Sequence, residues 1–297
     1  MLRDAQRLLI AVWRLIRETF RRWFQDGVFE MSAAISFYAA FSIAPALVII
    51  IRLLGLILGS DSSAEIESRI SAYAGADAAR MISRTVTGAE GRMSLGSVRG
   101  TLTFSILFLG ASAGFAQLLT AMNRVWRVTA KPGRAIVGAL RDRFLSFVVV
   151  GIGGGVFLAS LLVSTGIQAY SAYVSRFVPG AGFLWHYVDL GFSFAILTVL
   201  FALLYKFLPD AQIAWRDVWV GAVVTAVFFT GGKYLVSVYL ATSAIESVFG
   251  AVGSFLVILV WVYASTAILL LGAEFTHVYA EEHGQSVRPG KHALKVE

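Results

Sequence analysis

The groupings in this chain that outline known chemistry are a serine between glycines, a glutamate three residues before a histidine, and a lysine behind two glycines. Gly110-Ala111-Ser112-Ala113-Gly114 has the spacing of a nucleophile elbow, whose serine needs a general base within hydrogen-bond reach. The four histidines are His186, His277, His283 and His292, and none lies within an apolar run. Ser112 and His186 fall toward opposite sides of a membrane, so close packing of small residues is the better reading of these glycines. Gly231-Gly232-Lys233 resembles the end of a phosphate loop, but Val227 stands where that loop has glycine and Tyr234 where it has Ser or Thr. The glycines from Gly151 to Gly155 lack the strand that precedes a dinucleotide fingerprint. Glu274 and His277 form a single Glu-x-x-His, whereas a carboxylate-bridged metal pair in a bundle needs two, with two further glutamates. The chain has no cysteine, which excludes disulfides, thiolate metal sites and a Cys nucleophile. It reads as a non-enzyme with no metal or cofactor.

Charges inside apolar segments carry more information. Arg52 and Lys233 each lie roughly 10 Å below the outer membrane edge at ~1.5 Å per helical residue. Such placement costs ~2.5–3.5 kcal/mol at mid-membrane and less near the interface. One reading is a partly polar, positively lined cavity for an anionic group, with Asp189 and Glu246 as partners; the other is snorkelling of two long side chains to the head groups. Tyr38, Ser42, Gln117 and Gln168 are polar groups at membrane depth that suit either substrate contact or helix–helix hydrogen bonds.

Six apolar runs are long enough to hold these residues in membrane-crossing helices: about Ser32–Leu58, Gly100–Met122, Phe144–Ala169, Val188–Phe207, Val218–Leu240 and Gly253–Phe275. Of the 297 residues 58% are hydrophobic and 14% charged, more apolar surface than a soluble domain of this size can bury. The predicted class is therefore all-α, a polytopic six-helix membrane bundle. Pro45 offers a bend in the first, overlong span, and Gly231, Gly232 and Gly250 offer hinge or packing points. Residues 3–24 predict an amphipathic interfacial helix, with Leu9, Val12, Trp13, Ile16, Phe20, Trp23 and Phe24 on one side and Arg3, Arg7, Arg14, Arg17 and Arg21 on another. Arginine-rich as it is, this segment lacks the apolar core and cleavage site of a secretory signal.

The net charge of +7 matters through its placement. With the N-terminus inside, the inner segments hold seventeen Lys and Arg against six outside, which predicts both termini in the cytoplasm. The organisation expected is a cytoplasmic helix over 1–30, a membrane domain over 31–276 and a cytoplasmic tail over 277–297. Within the membrane domain, two short extracytoplasmic helices are expected over 59–99.

Four stretches resemble the YihY/BrkB family of bacterial inner-membrane proteins, formerly labelled ribonuclease BN. They are Met31–Tyr38 with Ser42–Pro45; Asn123-Arg124-Val125-Trp126; Tyr205–Asp210 with Trp215-Arg216 and Gly221-Ala222; and Lys233-Tyr234 with Tyr239, Phe249–Gly253, Trp261–Tyr263 and Leu271–Glu274. The resemblance runs over residues 20–283. It implies a six-span, transporter-like protein, with lipid or another envelope component as the compatible cargo. Its motifs mark Tyr38, Pro45, Lys206, Pro209, Asp210, Lys233, Gly250 and Glu274; Arg52 is outside them. The ribonuclease label fits poorly, because no carboxylates or histidines cluster in the sequence to hold a metal.

The reading is a transporter-like protein of the bacterial inner membrane that moves or binds a lipid or other anionic amphiphile, without nucleic acid. Lys233, Arg52, Tyr38, Glu246 and Glu274 are its candidate contacts, and membrane lipids its surroundings. A homo-oligomer is left open. The alternative is a non-transporting scaffold for envelope biogenesis.

Overall fold

The computed structural model describes residues 2–40, 113–130, 181–242, 251–283, 288–290 and 293–295. The expectations for the third span, the 59–99 helices, Ser42, Pro45, Arg52, Ser112, Gln168, Glu246 and Gly250 lie outside the described residues. The described part is mostly helical. Helix α1 spans Leu2–Gln25 and ends at Gly27, whose φ of 69° is the left-handed geometry that terminates helices readily without a Cβ. Helix α2 spans Val28–Ala40. Helix α3 is described over residues 113–125 and leads into strand β1, Val128–Ala130. Then come α4 (Ala181–Phe207), β2 (Ala211–Gln212), α5 (Trp215–Thr242), α6 (Ala251–Glu282), β3 (Arg288–Pro289) and β4 (Ala293–Lys295).

Three helices among the described residues are long and apolar enough to cross a membrane: Leu190–Phe207, Trp215–Tyr239 and Phe255–Glu282. They coincide with the fourth, fifth and sixth predicted spans. The last is longer than the apolar run suggested. At ~1.5 Å per residue the 32-residue α6 is about 48 Å long, well beyond the ~30 Å of hydrocarbon. The helix continues past Phe275 to Glu282.

Two departures from the all-α expectation occur at the chain's end. Strand β4 pairs antiparallel with β1, and β3 pairs antiparallel with β2. The tail is therefore stapled to the segments that follow α3 and α4. These strands are two or three residues long and have no hydropathy pattern of their own, so only the partner strands define them.

The structure divides into two units: Met1–Val28 with Leu119–Lys233 and Ala267–Glu297, and Phe29–Leu118 with Tyr234–Thr266. In the first, α5 and α6 run antiparallel at very close approach. A Cβ on Gly221 would overlap Thr276, one on Gly272 would overlap Thr225 and Tyr205, and one on Gly232 would overlap Ile268. Each threonine returns its hydroxyl to the carbonyl of the glycine one turn back on its own helix, Thr225 to Gly221 at 2.7 Å and Thr276 to Gly272 at 2.6 Å. Two Gly-x-x-x-Thr steps thus interlock in opposite directions, with the glycines admitting the neighbouring helix. Buried Tyr205 of α4 completes the junction, its hydroxyl 2.8 Å from the Leu269 carbonyl and 2.8 Å from Thr225 Oγ1.

Candidate functional site

At the Glu274 end of α6, the first unit gathers side chains from four segments distant in sequence. Asn123 at the end of α3 reaches the turn after α4: its amide nitrogen donates to Asp210 Oδ2 at 3.2 Å, and the Asp210 backbone N–H donates to Asn123 Oδ1 at 2.8 Å. The Lys206 ammonium donates to the Ile213 carbonyl and sits 5.4 Å from the centre of the Trp215 ring. The Gly290 N–H from the tail bonds the Asp210 carbonyl at 2.8 Å. The Asn123–Trp126 and Tyr205–Asp210 stretches of the sequence are therefore one structure in space.

Helix α1 docks beside this end through one of its three sides. Leu15 and Thr19 are buried, and Trp23 donates its indole N–H to the Ala267 carbonyl at 3.1 Å. Arg22 bonds Glu18 at 2.9 Å and Glu281 of α6 at 2.8 Å. Burial works against the Arg22 charge, and the carboxylates of Glu281 and Glu18 more than offset it, so its pKa is raised. Hydrogen bonds from Arg21 and Arg22 in turn pull the Glu18 carboxyl down to about 2. The second side carries exposed Leu9, Trp13, Phe20 and Phe24, with Trp13 68% exposed. The third carries exposed Arg14, Arg17 and Arg21.

Beneath α1 lies a group of sealed polar atoms. Glu274 is 0% exposed, and neither of its carboxylate oxygens has a hydrogen-bond donor. It faces Asp26, whose Oδ2 is likewise buried without a donor, and has Arg22 and Arg127 as charged neighbours. One turn along α6, His277 is 4% exposed, places Nε2 3.3 Å from Glu281 Oε1 and leaves Nδ1 unpartnered. The Trp126 ring packs on it with centroids 5.3 Å apart. Arg127 reaches this group from a left-handed turn, at φ 50°, a conformation that costs a residue with a Cβ ~1–2 kcal/mol. Two like charges 4 Å apart repel by about 4 kcal/mol at an effective dielectric of ~20, so a facing pair of buried carboxylates is costly unless something lies between them.

The residues singled out from sequence fall into separate places. Lys233 occupies an exposed position of α5. Since Gly232 stands level with Ile268 and the helices run antiparallel, Lys233 is about 10 Å along the helix axes from the level of Glu274. Glu274 is not gathered with Lys233; its neighbours are Asp26, Arg22 and Arg127. Tyr38 belongs to the second unit, is 41% exposed and packs edge-on against Phe37 at 5.9 Å. Gly232 is a packing contact, whereas a Cβ on Gly231 would meet nothing, and α5 is unbroken through both. Asp26, Arg127, Trp126 and Glu281 were not read as a site from sequence. The single local signal was Asp26-Gly27 closing α1, which marks a helix end and says nothing about a partner on α6.

Residues 19–297 match the family described as virulence factor BrkB. The chain belongs to this family. Three UPF0761 membrane proteins are among its relatives. That of Glaesserella parasuis is 24% identical over 63% of this chain, and that of Psychrobacter 22% identical over 89%. That of Pseudoalteromonas translucida is 29% identical over 59%. The matched stretches span 62, 48 and 58% of these relatives' own lengths, less than two thirds in each. No solved structure matches the chain. Together with its apolar helices, these relatives make the chain a membrane protein of the BrkB family. The family match begins at residue 19, so it takes in Arg22, Asp26, Arg127, Glu274, His277 and Glu281.

Proposed function

We propose that this BrkB-family protein is a multi-pass, transporter-like protein of the bacterial inner membrane that moves or binds an anionic amphiphile such as a lipid, with both termini cytoplasmic and no enzymatic step. The observation that carries the reading is Lys233. It is a cation at an exposed position of a helix apolar enough to cross a membrane, next to Tyr234 and Leu235, which are among the most exposed apolar side chains described. An ammonium on such a helix suits a phosphate or carboxylate head group with an apolar tail. The three-sided α1 supports the orientation: its apolar side would enter the head-group boundary and its arginines would meet anionic lipid at the cytoplasmic surface.

The test is transfer of a fluorescent anionic phospholipid across proteoliposomes containing the purified chain. Wild type and Lys233→Arg should move it, and Lys233→Ala should be slower. A chain that moves neither lipids nor organic anions, together with Lys233→Ala behaving as wild type in cells, would overturn the reading. A stoichiometric protein partner recovered in place of lipid would favour the scaffold.

A further inference from the structure

We propose that Asp26 and Glu274 hold one proton between them and that this pair is a proton-binding site of the protein. Two carboxylate oxygens cannot hydrogen-bond without a proton, since each only accepts. Yet these carboxyls face each other, with both Glu274 oxygens and Asp26 Oδ2 shut off from solvent and from every donor. Glu274 is completely buried, so no exposed face offers an alternative.

The charged groups around the pair come from three segments. Facing the pair are Arg22 from α1 and Arg127 from the turn before β1; His277 and Glu281 come from α6 itself. Arg22 bonds Glu18 through Nε and Glu281 through Nη2, while its Nη1 is buried without a partner. Arg21 is engaged by Glu18. The cations beside Glu274 are Arg22 and Arg127, and Arg22 also serves Glu18 and Glu281. A proton on the Asp26–Glu274 pair removes one of the pair's two charges. It converts a repulsion into one short O–H to carboxylate bond, the strong charge-assisted kind. Resting on the transport reading, the site gives that transport an ion to couple to.

The test has two parts. The first is infrared spectroscopy of the full chain in nanodiscs at neutral pH, reading the protonated-carboxyl stretch and its shift in D2O. Wild type and His277→Asn should show the band; Glu274→Gln and Asp26→Asn should each lose it, with the fold checked by circular dichroism. Absence of the band in wild type, or its survival in folded Glu274→Gln, would overturn the proposal. If Glu274→Gln does not fold, the folded Asp26→Asn variant must lose the band. The second part is lipid transfer under an imposed pH gradient. Wild type should respond to the gradient and folded Glu274→Gln should not. Transfer that ignores the gradient in wild type would remove the coupling clause alone. A wild type that transfers nothing would sink the transport reading while the infrared result still decides the proton site.

Discussion

Replacing Gly272 by alanine should destabilise the protein by about 2–4 kcal/mol, because a single added methyl group has no room at the junction of α4, α5 and α6. The new Cβ would overlap Thr225 Oγ1 and the Tyr205 hydroxyl, both buried and both within a hydrogen-bonded set. Overpacking of this kind costs ~1–3 kcal/mol. If the tyrosine hydroxyl is driven off the Leu269 carbonyl, a further ~1 kcal/mol goes with that bond. The reciprocal change, Thr225→Ala, removes the obstructing oxygen and should by itself cost only ~0.6–1.5 kcal/mol, the scale of interhelical hydrogen bonds in membranes. If the two changes were independent, the double variant would lose ~3–5 kcal/mol. A shared overlap instead predicts a double variant no worse than Gly272→Ala alone, a coupling of ~1 kcal/mol or more. The assay is SDS-driven unfolding of the purified chain in mixed micelles, followed by loss of helical circular dichroism. A neutral Gly272→Ala, within ~0.5 kcal/mol of wild type, would refute the close approach, and strict additivity would refute the overlap with Thr225.

The acid side of stability should depend on Glu18. Its folded pKa is depressed to about 2 from 4.5 by Arg21 and Arg22, so its contribution is complete above the ordinary carboxylate range and is lost as pH falls from there toward 2. Glu18→Gln should therefore show a shallower loss of thermal stability than wild type between about pH 6 and about pH 3, and equal slopes would refute the assignment. Removing residues 288–297 deletes both strand pairs and the Gly290 bond to Asp210 while leaving the helices intact. Limited trypsin should then cut faster after Arg127 at unchanged helical circular dichroism, and unchanged cleavage would show that the tail does not brace that turn.

How much of this was readable in the amino-acid order depends on the range of the interaction. Residues 190–207, 215–239 and 255–282 announce themselves as membrane helices, because hydrocarbon tolerates backbone only when its hydrogen bonds are closed within the segment. The side-by-side apolar and basic faces of α1 are equally local, since every third or fourth residue shares a side. Lys233 stood out for the same reason: one cation in an apolar run is visible without knowing its neighbours. The pairing of Asp26 with Glu274 had no such signature, because its members come from opposite ends of the chain and only the docking of α1 on α6 brings them together. Arg127 looks like any loop arginine until the turn after α3 forces it left-handed and points it at the same group. The glycines of α5 and α6 could be read as small residues, but which neighbour each admits, Gly221 to Thr276 and Gly272 to Thr225, is a matter of register between two helices. Hydropathy thus determined that the chain is a membrane protein and which of the described helices are long and apolar enough to cross a membrane. Packing alone decided which polar groups are sealed away together, since burial and facing charges are properties of the neighbours a residue acquires on folding.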